Sequence, residues 1–176
     1  MLGAALLLAG CGGISKNELQ EEAQARGGGL GETLPLEALD AIEEETGEPV
    51  RFTGINVSWE TVSVTVLVPG SDDELDTYSY SANGSLFDPS PVSGVGPASE
   101  LRPTLMTRDD VALDDLDEII DDAIERADLQ DGYANNVSIH RQSSDRTIIT
   151  VSVTSPRRTA TITYRGDGEF VEATAS

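Results

Sequence analysis

The chain holds one cysteine, one histidine, one lysine and one tryptophan in 176 residues. A single cysteine, Cys11, excludes any disulfide within the chain. His140 has no second histidine and no free thiol to act with, so it reads as an ordinary surface histidine rather than a metal ligand or catalytic base. Bases are scarce: 11 Lys and Arg stand against 32 Asp and Glu, a formal net charge of −21, and Lys16 is the only lysine. Such a chain repels polyanions, which argues against nucleic-acid binding as its main role. The acid excess fits a salt-adapted organism or a high-GC genome. Aromatic residues make up 5% of the chain, which suits a core built from Val and Ile. No Gly-x-Ser-x-Gly elbow is present, and Gly27–Gly31 lacks the strand before it and the Lys-Ser/Thr after it that a phosphate loop needs. No long apolar run occurs either. The longest, Leu2–Ala9, is far short of the about 20 residues that cross a bilayer.

That short run gains its meaning from the four residues at its end. Leu8-Ala9-Gly10-Cys11 resembles the lipobox of bacterial lipoproteins. There, small residues fit the peptidase cleft and a thiol accepts the diacylglyceryl group. The resemblance implies that residues 1–10 are the remnant of a signal peptide. It also implies that Cys11 is lipidated and that the mature protein is held on the extracytoplasmic face of a membrane. No basic segment precedes the apolar run, so the expected start lies upstream or has been trimmed. Two acyl chains anchor stably where one does not. Residues 11–33, with Gly27-Gly28-Gly29, read as a solvated tether.

The remainder predicts an α+β fold. Thr33 and Pro35 suit a helix start, Leu36, Leu39 and Ile42 give it one apolar face, and Gly47 with Pro49 ends it. Val62, Val64, Val66 and Val68 then alternate with Ser63, Thr65 and Leu67, Tyr78 and Tyr80 alternate with Ser79 and Ser81, and Asn83-Gly84 marks a tight turn. Residues 89–106, rich in Pro, Gly and Ser, read as a linker that connects rather than packs. A second helix is expected behind a Thr107/Asp110 capping box. Its stripe is Leu113, Leu116, Ile119, Ile120, Ala123, Ile124 and Ala127, and its end is Gly132. Two further alternating stretches lie beyond it, around Ile149–Val153 and Ile162–Tyr164.

The two halves read alike. Leu36-x-x-Leu39-x-x-Ile42 matches Leu113-x-x-Leu116-x-x-Ile119. Asn56-Val57-Ser58-Trp59 matches Asn136-Val137-Ser138-Ile139. Tyr80-x-x-x-Gly84-x-Leu86 matches Tyr164-x-x-x-Gly168-x-Phe170. This predicts two duplicated units, 34–88 and 107–176, each one helix packed on an antiparallel sheet of about three strands. Trp59, opposite Ile139 in the repeat, is expected in the core. On these residues the chain resembles secreted tandem-repeat proteins of the PepSY and β-lactamase-inhibitor-protein type. That resemblance implies a non-enzymatic binding or inhibitory module outside the cell. No contact residue is matched individually.

Each sheet is expected to bury one face and wet the other. Ser63, Thr65, Ser79 and Ser81 fall on the wet face of the first unit. Arg146, Thr150, Ser152, Thr161, Thr163 and Arg165 fall on that of the second. Arg146 and Arg165, with Thr150 and Thr163, are candidate partner-binding residues, because Arg pairs well with carboxylate and phosphate. The competing reading is internal: Arg141, Arg146, Arg157, Arg158 and Arg165 would offset nearby acids. The acids between Asp109 and Asp131 lack the spacing of a calcium loop, so Asp121 and Asp122 read as a solvated helix face and no metal site or cofactor is expected. The functional expectation is a membrane-anchored lipoprotein, an interaction module with an envelope protein as partner. A lipid or small-molecule carrier with a cavity between helix and sheet is the alternative. A two-carboxylate envelope hydrolase is the remaining reading.

Overall fold

The computed structural model describes Leu30 and residues 33–143 and 146–175. Leu8, Ala9, Gly10, Cys11 and all of the expected tether except Leu30 and Thr33 lie outside the described residues. The fold is α+β. Helix α1 (Thr33–Thr46) leads into strands β1 (Phe52–Val57), β2 (Thr61–Leu67) and β3 (Leu75–Ser81). A two-residue strand β4 (Ser90–Pro91), a short helix α2 (Ala98–Leu101) and two 3₁₀ turns (Arg102–Thr104, Arg108–Asp110) come next. Helix α3 (Leu116–Ala127) and strands β5 (Tyr133–Ser143), β6 (Arg146–Thr154), β7 (Thr159–Arg165) and β8 (Phe170–Ala175) follow among the described residues.

All eight strands form one antiparallel sheet in the order β4-β3-β2-β1-β5-β6-β7-β8. The two expected sheets are thus halves of one, joined where Gly54–Val57 pair with His140–Val137. Asn136 strengthens the seam by donating its side-chain amide to Asn56 Oδ1 and Val57 O, both at 3.0 Å. Alternation works as expected on the inner face. Val62, Val64, Ile149, Val151, Val153, Ile162 and Tyr164 are buried in one core with Leu39 and Ile42 of α1 and Leu116 and Ile120 of α3.

The turns after β3 and β7 are alike. Gly84 and Gly168 both sit at φ +85°, a left-handed conformation that glycine adopts without penalty. Gly84 N–H donates to Ser81 O and Ser81 N–H to Ser85 O; Gly168 N–H donates to Arg165 O and Arg165 N–H to Glu169 O.

Several expectations are corrected. Leu30 is fully buried in the main core, so the end of the expected tether packs; a leucine flanked by glycines carries no periodicity that would announce this. Trp59 is 53% exposed, because β1 stops at Val57 and Ser58 and Thr61 close a turn, whereas β5 runs on past Ile139. The same length of β5 puts His140 within the strand, half-buried. The capping box at Thr107 and Asp110 forms, but on a 3₁₀ turn. Helix α3 starts only at Leu116 and ends at Asp128, which takes the left-handed cap at φ 47° instead of Gly132. Ile124 is half-buried rather than in the core.

The 89–106 segment packs. Leu101, at the end of α2, forms a second small cluster with Leu67 and Leu75 on the sheet face opposite α1 and α3. Met106 then exchanges backbone hydrogen bonds with Phe52 at 2.9 and 2.7 Å and is buried in the main core. The linker therefore starts on one face of the sheet and re-enters on the other, beside the start of β1.

Candidate functional site

Strand register decides what the open face displays. Ser79 lies opposite Ser63, Ser63 opposite Asn56, and Asn56 opposite Ser138. Ser138 then lies opposite Thr150, Thr150 opposite Thr163, and Thr163 opposite Glu172. One uninterrupted row of short polar side chains thus runs from β3 to β8. The adjacent row carries Thr77, Thr65, Gly54, His140, Ile148 and Arg165. Gly54 suits this seam: a Cβ there would stand 3.2 Å from the Ile139 carbonyl. Thr65 and Thr77 are linked at 3.3 Å, each hydroxyl able to donate to the other. Apart from Glu172, the Ser79-to-Glu172 row is made of groups that both donate and accept.

The four candidate residues fall into two places. Thr150 and Thr163 are direct cross-strand partners in the centre of the second half, half-buried. Arg146 and Arg165 are exposed and line a cleft of about 600 Å³ at the end of the sheet, with Arg141, Thr147, Gly166, Asp110 and Asp167. Arg165 pairs with Glu169 at 3.1 Å, and both side chains are mostly exposed. Arg146 makes no ion pair among the described residues.

Arg141 belongs to the internal network instead. Its side chain is 13% exposed. It reaches Asp110 Oδ1 at 2.6 Å and donates to Leu105 O at 2.8 Å and Thr147 Oγ1 at 3.1 Å. It therefore fastens the re-entering linker to the sheet. Burial pushes the Asp110 carboxyl up, but hydrogen bonds from the Thr107 N–H, Arg141 and the Thr107 hydroxyl outweigh it and hold the group below the ordinary carboxylate value. Arg157 and Arg158 line a separate cleft of about 580 Å³ with Asp128 and Asp131.

Asp122 is not the idle surface acid expected. It pairs with Arg126 at 2.5 Å and accepts a 2.8 Å hydrogen bond from the Tyr164 hydroxyl. Arg126 foremost, and Tyr164 after it, lower its carboxyl despite partial burial. Burial, then the Asp122 contact, push the Tyr164 phenol up. The Arg126 guanidinium also lies 4.1 Å above the Phe170 ring. Tyr80 and Glu37 repeat the Tyr–carboxylate motif in the first half at 3.3 Å. Sequence reasoning missed these helix-to-sheet bonds, since each carboxylate borders the apolar stripe rather than lying in it. It also missed the exposure of Trp59 and Phe87. No group of three or more His, Cys, Asp or Glu positioned to hold a metal occurs among the described residues.

No family model matches this chain, and no curated protein matches it. Among solved structures, the crystal structure of a protein described as a "putative lipoprotein (CD1622)" from Clostridium difficile 630 is similar, with a TM-score of 0.62 at 8% identity. The match covers 82% of this chain and 94% of that one. At that identity the likeness shows a shared fold alone. A DUF2874 family protein from Bacteroides uniformis ATCC 8492 matches with a TM-score of 0.30 at 13% identity, over 80% of this chain and 88% of that one.

Proposed function

We propose that this protein is a lipid-anchored extracytoplasmic interaction module that holds an envelope protein against the open face of its sheet and carries out no reaction itself. The observation that carries this reading is the one-sidedness of the sheet. Both long helices cover one face. The other presents the Ser79-to-Glu172 row, which no helix among the described residues covers. Short hydroxyl and amide side chains cost little entropy to order and offer both donors and acceptors to a partner.

Anchoring through Cys11 rests on the Leu8-Ala9-Gly10-Cys11 pattern and agrees with the lipoprotein description of the fold neighbour. Among the described residues no helix is long and apolar enough to cross a membrane. The two halves are read as tandem copies. The palindromic strand order and the matching turns at Gly84 and Gly168 support this.

Site-directed photo-crosslinking in the producing cell tests the reading. A photoreactive residue at Thr150 is expected to give a discrete adduct in the membrane fraction, and one at Asp121, on the outside of α3, is expected to give none. Equal yields from the two positions, or no adduct from Thr150, would overturn the open-face assignment. Cys11→Ala is expected to move the protein out of the membrane fraction.

A further inference from the structure

The two edges of the sheet are built differently. At the β4 edge the strand is two residues long, and Pro89 and Pro91 each remove a backbone donor. Phe87 and Val92 turn their N–H groups back to Ser79 and Leu75 of β3. Such a margin resists extension by another strand. The β8 edge has none of these devices. It is six residues long, exposed throughout, and free of Pro, Lys and Arg, with one bulge, at Val171, and a regular register from Glu172 to Ala175. Its inner side is paired to β7. Among the described residues no loop or turn makes a backbone hydrogen bond to it. Alternate residues of an edge strand turn both N–H and C=O outward, and a second extended backbone satisfies such a row.

We infer that the occupant of the β8 edge is β8 of a second copy, paired antiparallel about a two-fold axis at Ala173. In that register Ala173 meets the partner's Ala173 on the helix side. Glu172 meets the partner's Thr174 on the open side, and the reverse. Like charges are not opposed, as they are when the axis shifts to Glu172. The joined sheet ends on a blunted β4 edge at both margins, so assembly closes at two copies and does not grow into a fibre.

Charge decides when this dimer forms. A six-residue edge buries much less than the about 800 Å² per partner of a stable interface. Each copy also brings a formal charge of −21. Mutual repulsion therefore protects the edge in dilute salt, in place of the missing lysines and prolines. The screening length falls from about 10 Å at 0.1 M salt to about 3 Å at 1 M, so the dimer is the high-salt state.

Sedimentation equilibrium of the full chain carrying Cys11→Ser, at 0.1 and 1 M NaCl, tests this. The dimer dissociation constant is expected to fall at least about tenfold at the higher salt. Ala173→Arg sets a guanidinium against its own copy on the axis and is expected to stay monomeric at both salts with an unchanged melting temperature, because Ala173 is exposed. Asp121→Arg, the control on the outside of α3, changes the net charge in the same direction and is expected to dimerise at least as well as the parent. A monomer at 1 M salt, association beyond two copies, or dimerisation of Ala173→Arg at parental strength would each overturn the inference.

Discussion

Arg141 and Arg146 stand close in sequence, yet one is fastened and the other makes no ion pair among the described residues. Arg141 holds Asp110, Leu105 O and Thr147 from a nearly buried position. Arg141→Ala is therefore expected to cost about 2 kcal/mol, because it strands partly buried acceptors. Arg146→Glu combined with Arg165→Glu is expected to cost less than about 1 kcal/mol, since only an exposed pair is lost. Urea unfolding measures both. If the arginines do serve a partner, the double variant instead slows association and leaves the fold intact. Alternation alone put Arg146 and Arg165 on the open face. Arg141, two residues past the buried Ile139 in β5, falls on the inner face instead, where the returning linker meets it. The carboxylates predict the acid limb of stability. Asp110 and Asp122 are both lowered in the folded protein. Their contribution is present above the unfolded value of about 3.9 and is lost as pH falls through the folded value. The melting temperature is expected to drop below about pH 4, and less steeply in Asp122→Asn. A melt series from pH 7 to pH 2 on both proteins checks this.

Elements were legible where periodicity is strong. The Val62–Val66 and Ile149–Val153 alternations gave β2 and β6, and the stripe from Leu116 to Ala127 gave α3. Ile120, at the centre of that stripe, is buried, and Ile120→Ala is expected to cost about 2–5 kcal/mol, more than Ile124→Ala at the half-buried position. The start and stop of α3 were not legible. A capping box nucleates a 3₁₀ turn as well as a helix, and the left-handed cap fell on Asp128, a residue that pays backbone strain there and places negative charge at the helix C-terminus. Asp128→Gly is expected to raise stability by about 1 kcal/mol in thermal melts. β8 escaped notice because all six of its residues are exposed, so no buried face imposes an apolar alternation on it. The linker escaped because Leu101 and Met106 pack singly, without a period.

At the scale of the molecule, sequence patterns gave two helix-and-sheet halves but not their union. Pairing of β1 with β5 is a backbone event, and no side-chain period announces which edges meet. The buried Leu30 extends the folded body beyond the first helix. Leu30→Ala is expected to cost about 2–5 kcal/mol, whereas a solvated tether would leave denaturant unfolding unchanged. The acid excess also acts on the whole body. Self-repulsion at a net charge of −21 favours expansion, so the melting temperature is expected to rise from 10 mM to 0.5 M NaCl as the repulsion is screened.

The seam also sets an order in time. Every other long strand pair closes between neighbours in the chain, over short loops that form fast. Val57 meets Val137 only after about 80 intervening residues exist, and ln-scaling of loop closure and contact order both delay such a pairing. During synthesis from the N-terminus, the first half has its helix and hairpins while the inner margin of β1 still waits for β5. That margin, with Gly54–Val57 unpaired, is the part of the nascent chain open to a wrong neighbour, and it closes when residues 137–140 arrive.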